Sequence, residues 1–298
     1  LMKFDAAGFG NHEHDQNLTH LKKMMEASNF QWVSSNYNTL TPLKGGKNPA
    51  KSYTIIEKDG VKIGIVGMNT SQTVEQVFPG NLSFTNNGKK RDLVISDKSD
   101  STNKAAAKAR AAGADLVIAL LHQGWNQNLN GVASGELVNY AKELTNVDVV
   151  YGAHSHQTYR SVVDGRLTVQ VRNSGLEYSR TQVCVDTAAN KVLGASVEHV
   201  NKAAVAGITA DAATTALVAK YKTQLNAKLD VKIGSVSDRF PRGGTPPVER
   251  SGETPLGSYT ADLLLAKYKT DFALINGGGI RDTLPANTYT PADKTLMT

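Results

Sequence analysis

Apolar and polar positions along this chain follow two periods in turn. The segment "AAKARAAGADLVIALLHQG" reads as a helix, a glycine stop and a short strand. Leu116 to Leu121 form an unbroken apolar run, as in a strand buried on both faces. The segment "LVNYAKELTNVDVVYGAHSH" repeats the scheme: an amphipathic helix, a turn, then a strand over Val147 to Tyr151. Helix–strand units in series predict an α/β layered domain with parallel strands. Two hairpins interrupt them. "SYTIIEKDGVKIGIVGM" carries an Asp59-Gly60 turn between β-rich runs, and "TQVCVDTAANKVLGASVEHV" turns near Asn190. The sheets are therefore expected to be mixed. Cys184 alternates within the second hairpin and is expected to be a small buried residue.

Near residue 201 the pattern changes. "ITADAATTALVAKYKTQLNAKL" places Leu217, Tyr221 and Leu225 on one side of a helix, with Asp211 near its positive end. The Pro- and Gly-rich "RFPRGGTPPVERSGE" predicts a linker or extended loop. The tail, "TPLGSYTADLLLAKYKTDFALINGGGIRDTLPANTYTPADKTLMT", predicts a helix, a strand and a glycine-rich turn.

Composition narrows this picture. The chain has 298 residues, 40% of them hydrophobic, enough for one large or two modest domains. Net charge is +6, but the basic residues are scattered, and "NGKKRD" is too short for a nucleic-acid groove. Neither a signal peptide nor an apolar run of membrane-spanning length is recognisable. The single cysteine allows no internal disulfide.

The candidate chemistry lies in histidines. "GNHEHD" gathers Asn11, His12, His14 and Asp15 behind a glycine turn. His122 follows one predicted strand; His154 and His156 follow another. Ligand sites in α/β sheets collect at the carboxyl ends of strands, so three segments could deliver N and O donors to one edge. Imidazole with amide or carboxylate oxygen suits Zn, Mn or a similar divalent ion. "HSH" taken alone fits a polar loop with incidental histidines equally well, and His122 alone fits a hydrogen-bonded core residue. The convergence of all three segments shifts the balance.

"GNHEHD", "LLHQG" and "GAHSH" resemble, in order, histidine motifs of calcineurin-like metallophosphoesterases. "RSGETPLGSYTADLL" with "FALINGGGIR" is similar to the C-terminal domain of the 5′-nucleotidase family. The resemblance implies a layered αββα sandwich over residues 1–202, a linker helix over 203–230 and part of a second α/β domain over 231–298. It implies that Asn11, His122 and His154 ligate one divalent metal and His156 another. His12, oriented by Asp15, would face the phosphoryl group. Arg250, Asn276, Gly278 and Arg281 would bind a nucleotide.

The implied activity is 5′-nucleotidase hydrolysis by water activated between two metal ions. Alternatives on the same fold are a 2′,3′-cyclic nucleotide phosphodiesterase, a nucleotide-sugar hydrolase or a thiosulfate-ester hydrolase. A catalytically inactive nucleotide- or metal-binding surface protein is another. The family's earlier Asp-x-His and Gly-Asp motifs would precede Leu1, leaving the first-metal site incomplete in this chain. Its base-clamping aromatics would follow Thr298. No nucleic-acid polymer is required as partner, and a secreted, periplasmic or cell-surface location is expected. His14 stands where the family usually has phenylalanine, and Glu13 reads as a structural hydrogen-bonding group.

Overall fold

The computed structural model describes residues 2–38, 41–126, 128–129, 132–229, 232–236, 238–243, 248–249, 251–284 and 295–297. The chain divides into two compact units, residues 2–208 and 209–298.

The first unit begins with β1 (Ala6–Gly8), α1 (Leu18–Ala27) and β2 (Gln31–Val33). A hairpin follows, β3 (Tyr53–Lys58) and β4 (Val61–Met68), whose turn residues Asp59 and Gly60 both have positive φ, 50° and 78°. That backbone is the one a two-residue hairpin demands. Next come the short α2 (Thr73–Gln76), a second hairpin of β5 (Ser83–Asn86) and β6 (Lys89–Asp92), α3 (Asp100–Ala111) and β7 (Leu116–Leu121). The small pair β8 (Asn128–Leu129) and β9 (Val132–Ala133) precedes α4 (Glu136–Glu143) and β10 (Val149–Gly152). Two further hairpins complete the unit: β11 (Tyr159–Val163) with β12 (Arg166–Gln170), and β13 (Glu177–Asp186) with β14 (Lys191–Asn201).

Six strands form one mixed sheet in the order β11-β12-β10-β7-β4-β3. The four inner strands run parallel and the two edge strands antiparallel. The predicted helix–strand repeats and hairpins are thus both present in a mixed α/β fold. Alternation along β7 explains its apolar run. Val117, Ala119 and Leu121 enter a core with Ala105, Ala106 and Ala109 of α3 and Leu137, Val138 and Ala141 of α4. On the opposite face of the sheet, Gly8 of β1 sits over the Leu120 side chain. A second core, with Phe9, Leu21, Met25, Tyr37 and Leu43, holds α1 against this layer.

Cys184 departs from expectation: it is exposed. Along β13 the half-buried positions up to Val185 alternate (Glu177, Ser179, Thr181, Val183 and Val185), so the pleat turns Cys184 to the other face.

The second unit contains α5 (Ala212–Leu229), β15 (Lys232–Ser235), α6 (Pro255–Tyr268) and β16 (Thr295–Met297), with β15 and β16 antiparallel. Asp211 accepts from the Thr214 N–H at 2.7 Å, the hydrogen bond of a helix start. The stripe of Leu217, Tyr221 and Leu225 is exposed by 42–59%, so its spacing marks an apolar helix side without burying it. "FALIN" is not a strand. Phe272 and Leu274 are exposed, and no described segment pairs with them. Apolar residues alone do not make a strand without a hydrogen-bonding neighbour. No helix among the described residues is long and apolar enough to cross a membrane.

Candidate active site

The site grows from the carboxyl ends of β1, β7 and β10. Parallel pairing continues one step past the strands: the His122 N–H donates to the Met68 carbonyl at 2.8 Å, and the Ala153 N–H to the Gln123 carbonyl at 3.0 Å. The loops bearing His122 and His154 therefore leave the sheet on fixed backbone. Gly10 makes room for the His122 ring, because a Cβ there would lie 2.5 Å from ring atom Cε1. Glu13 folds the same turn by accepting from the Gly10 N–H at 2.6 Å, as expected of a structural group.

Asn11 is buried, and its side-chain oxygen accepts from His122 Nε2–H at 2.9 Å. The His122 and His154 rings meet edge to face, centroids 4.9 Å apart. Burial pushes the His122 pKa down to about 3, with His154, His12 and His156 adding to the effect in that order. His12 Nδ1 lies 2.8 Å from Asp15 Oδ2, and both side chains are exposed. The structure thus brings Asn11, His12, His122, His154 and His156 to one rim, with Asp15 behind His12. His154 and His156 carry positive φ, 75° and 61°, in a tight loop and not on one strand face. Left-handed backbone at non-glycine residues costs about 1–3 kcal/mol each, so the loop must be held from outside.

Several holders escape the sequence pattern. Ser155 Oγ donates to the Trp125 carbonyl. Gln170 Nε2 donates to Ser155 Oγ at 2.9 Å, and Gln170 Oε1 accepts from the Trp125 N–H at 2.8 Å. Trp125 itself stacks on Tyr159 as part of the wall. Asn81 donates to the His14 and Asp15 carbonyls, clamping the end of the "NHEHD" turn. Gln72 and Gln76 each approach His154 Nε2 to 3.4 Å. Only one signal could have pointed to the glutamines: "TSQTVEQ" begins where β4 ends, on the strand rim that gathers ligands.

His14 is fully buried, 2.8 Å from the Tyr37 hydroxyl, which also accepts from Asn69 at 3.1 Å. Burial lowers the His14 pKa to about 4, partly offset by Asp15. It belongs to the core beside the site.

A cleft of about 360 Å³ opens against Phe9, Gly10, Glu13, His122, Tyr151 and Ala153. A cleft of about 400 Å³ near Asp5, Glu26 and Lys47 contains no imidazole. The donor chemistry singles out the first. Among the described residues no group of three or more His, Cys, Asp or Glu is arranged to hold a metal ion. What lies together is a pair of imidazoles and one amide oxygen, a partial donor set of the kind Zn or Mn accepts.

In the second unit, Asn276 opens a short turn over Gly277–Gly279, and Arg281 follows it. The Arg281 carbonyl accepts from Arg242 at 2.8 Å. Arg250 lies outside the described residues.

Residues 43–169 match the family model described as bacterial capsule synthesis protein PGA_cap. Endonuclease YhcR of Bacillus subtilis is 28% identical over 97% of this chain and 24% of its own length. The 5′-nucleotidase of Vibrio parahaemolyticus is 26% identical over 97% of this chain and 56% of its own. The 5′-nucleotidase precursor of Thermus thermophilus superposes with a TM-score of 0.75 at 24% identity, covering 94% of this chain and 55% of that one. The chain spans between about a quarter and just over half the length of these relatives. Sequence likeness across nearly the whole chain agrees with the likeness in fold: the chain is similar to 5′-nucleotidases over 94–97% of its length.

Proposed function

We propose that this chain carries the catalytic site of a metal-dependent hydrolase of nucleoside 5′-phosphates. The observation supporting it most directly is the approach of Asn11, His122 and His154 beside the His12–Asp15 pair. Asn11, His122 and His154 would hold one divalent ion of the Zn or Mn type, and His156 would serve a second. Such ions neutralise the phosphate and make a bound water acidic enough to attack. His122 stays neutral at physiological pH, as a nitrogen ligand must. Asp15 accepts from Nδ1–H of His12, and in its imidazolium form the ring would donate from Nε2–H to a phosphoryl oxygen as charge builds there. The family resemblance would give nucleotide binding to Arg250, Asn276, Gly278 and Arg281, guanidinium groups being suited to phosphate or ribose oxygens. A location outside the cytoplasm fits the 24% identity to the Listeria monocytogenes cell wall protein Lmo0130.

The test is AMP hydrolysis with Mn²⁺ or Zn²⁺, in a chain extended by the family's Asp-x-His and Gly-Asp segment. Asn11→Ala and His154→Ala should abolish turnover. His12→Ala should lower kcat by about 10²–10³ with metal affinity unchanged. Full activity in Asn11→Ala and His154→Ala would sink the assignment. The relationship to an endonuclease supports a second reading, phosphodiester hydrolysis. A panel of AMP, a 2′,3′-cyclic nucleotide and single-stranded DNA separates the two.

A further inference from the structure

We propose that Gln72 and Glu136 are positioning residues that set which nitrogen His154 offers to the site; this rests on His154 being a ligand. Glu136 lies in the first turn of α4, and Gln72 directly precedes α2. The Gln72 amide nitrogen donates to Glu136 Oε1 at 3.1 Å. A carboxylate only accepts, so this bond fixes which end of the amide is oxygen. Gln72 Oε1 is thereby turned toward His154, 3.4 Å from Nε2. The same oxygen accepts from Gln76 Nε2 at 3.2 Å, and Gln76 Nε2 also stands 3.4 Å from His154 Nε2.

Gln76 Nε2 donates a hydrogen bond to the Gln72 oxygen at the shorter 3.2 Å, which turns its other N–H away from the ring, so the Gln72 oxygen is the group that meets Nε2 and favours the tautomer carrying the proton there. The lone pair then resides on Nδ1. A ligand imidazole commonly has its other nitrogen anchored in this way, and loss of the anchor costs about 10–100-fold in metal affinity. The arrangement also supplies part of the outside support that the positive-φ backbone of His154 needs. It links the loop after β4 to the start of α4, two segments the metal motifs do not include.

The experiment is long-range ¹H–¹⁵N correlation on the metal-free chain, with the His154 signals assigned by their loss in His154→Gln. The wild type should show the proton on Nε2. Gln72→Ala and Glu136→Ala should each shift the ring toward the Nδ1–H form, whereas Glu136→Gln, which keeps an acceptor, should restore the original state. Circular dichroism melts establish that the variants are folded. Titration with Zn²⁺ alone should show about 10–100-fold weaker binding in Gln72→Ala. A wild-type proton on Nδ1, or no change in Gln72→Ala and Glu136→Ala, overturns the proposal. Correct tautomers with no zinc binding in any variant would instead count against the metal site itself.

Discussion

At the scale of single residues, burial decides what each histidine does. His12 is exposed beside Asp15, and His122 is desolvated among three other imidazoles. His14, two residues from His12, is sealed in the core. Its pKa falls from about 6.5 unfolded to about 4 folded, so the unfolded chain binds its proton first. Stability is then complete above pH 6.5 and falls as pH drops toward 4. The full effect is on the order of 3 kcal/mol. Melting temperatures measured from pH 7 to 4.5 should drop less in His14→Phe than in the wild type. Gly10→Ala would drive a methyl into the His122 ring. It should weaken Zn²⁺ binding by about tenfold or more, measured by calorimetric titration.

At the scale of elements, close approach of backbones sets the layers. A Cβ on Gly67 of β4 would lie 2.2 Å from the carbonyl oxygen of Val33 in β2. Backbone yields less easily than a side chain. Gly67→Ala should therefore cost about 1–3 kcal/mol in urea unfolding. Helix α5 behaves oppositely. Because Leu217 and Leu225 are exposed, Leu217→Gln with Leu225→Gln should change stability by no more than about 0.5 kcal/mol. A larger loss would mean that this side is covered in solution.

At the scale of the whole molecule, the two units differ in how much apolar surface they remove from water. Residues 2–208 hold both hydrophobic cores. Among the described residues of 209–298, only Leu256 and Ile280 are buried apolar side chains. Burial of apolar area is the main favourable term in folding. Calorimetry should thus resolve two transitions, the smaller and earlier one from 209–298. A single cooperative peak would contradict this.

Strands β4, β7 and β10, their helices and both hairpin turns were legible because each rests on local information: periodicity, glycine stops and positive-φ turn residues. The order of the histidine motifs was legible too, since motif and strand end coincide in the chain. The pleat of β13 was legible only up to its phase, because alternation says that Val183 and Cys184 face opposite ways but not which side is covered. "FALIN" failed for the same reason, as a strand exists only through its partner. Glu136, Gln170 and Asn81 were invisible, and Gln72 showed only its place on the strand rim: polar residues have no period, and their contacts are with neighbours tens of residues away. The chain alone therefore determined the local elements and which side chains carry nitrogen or oxygen donor atoms. The tertiary fold alone decided which donors meet, which histidine is dry and what holds each ring, since desolvation and hydrogen-bond geometry are properties of the packed whole.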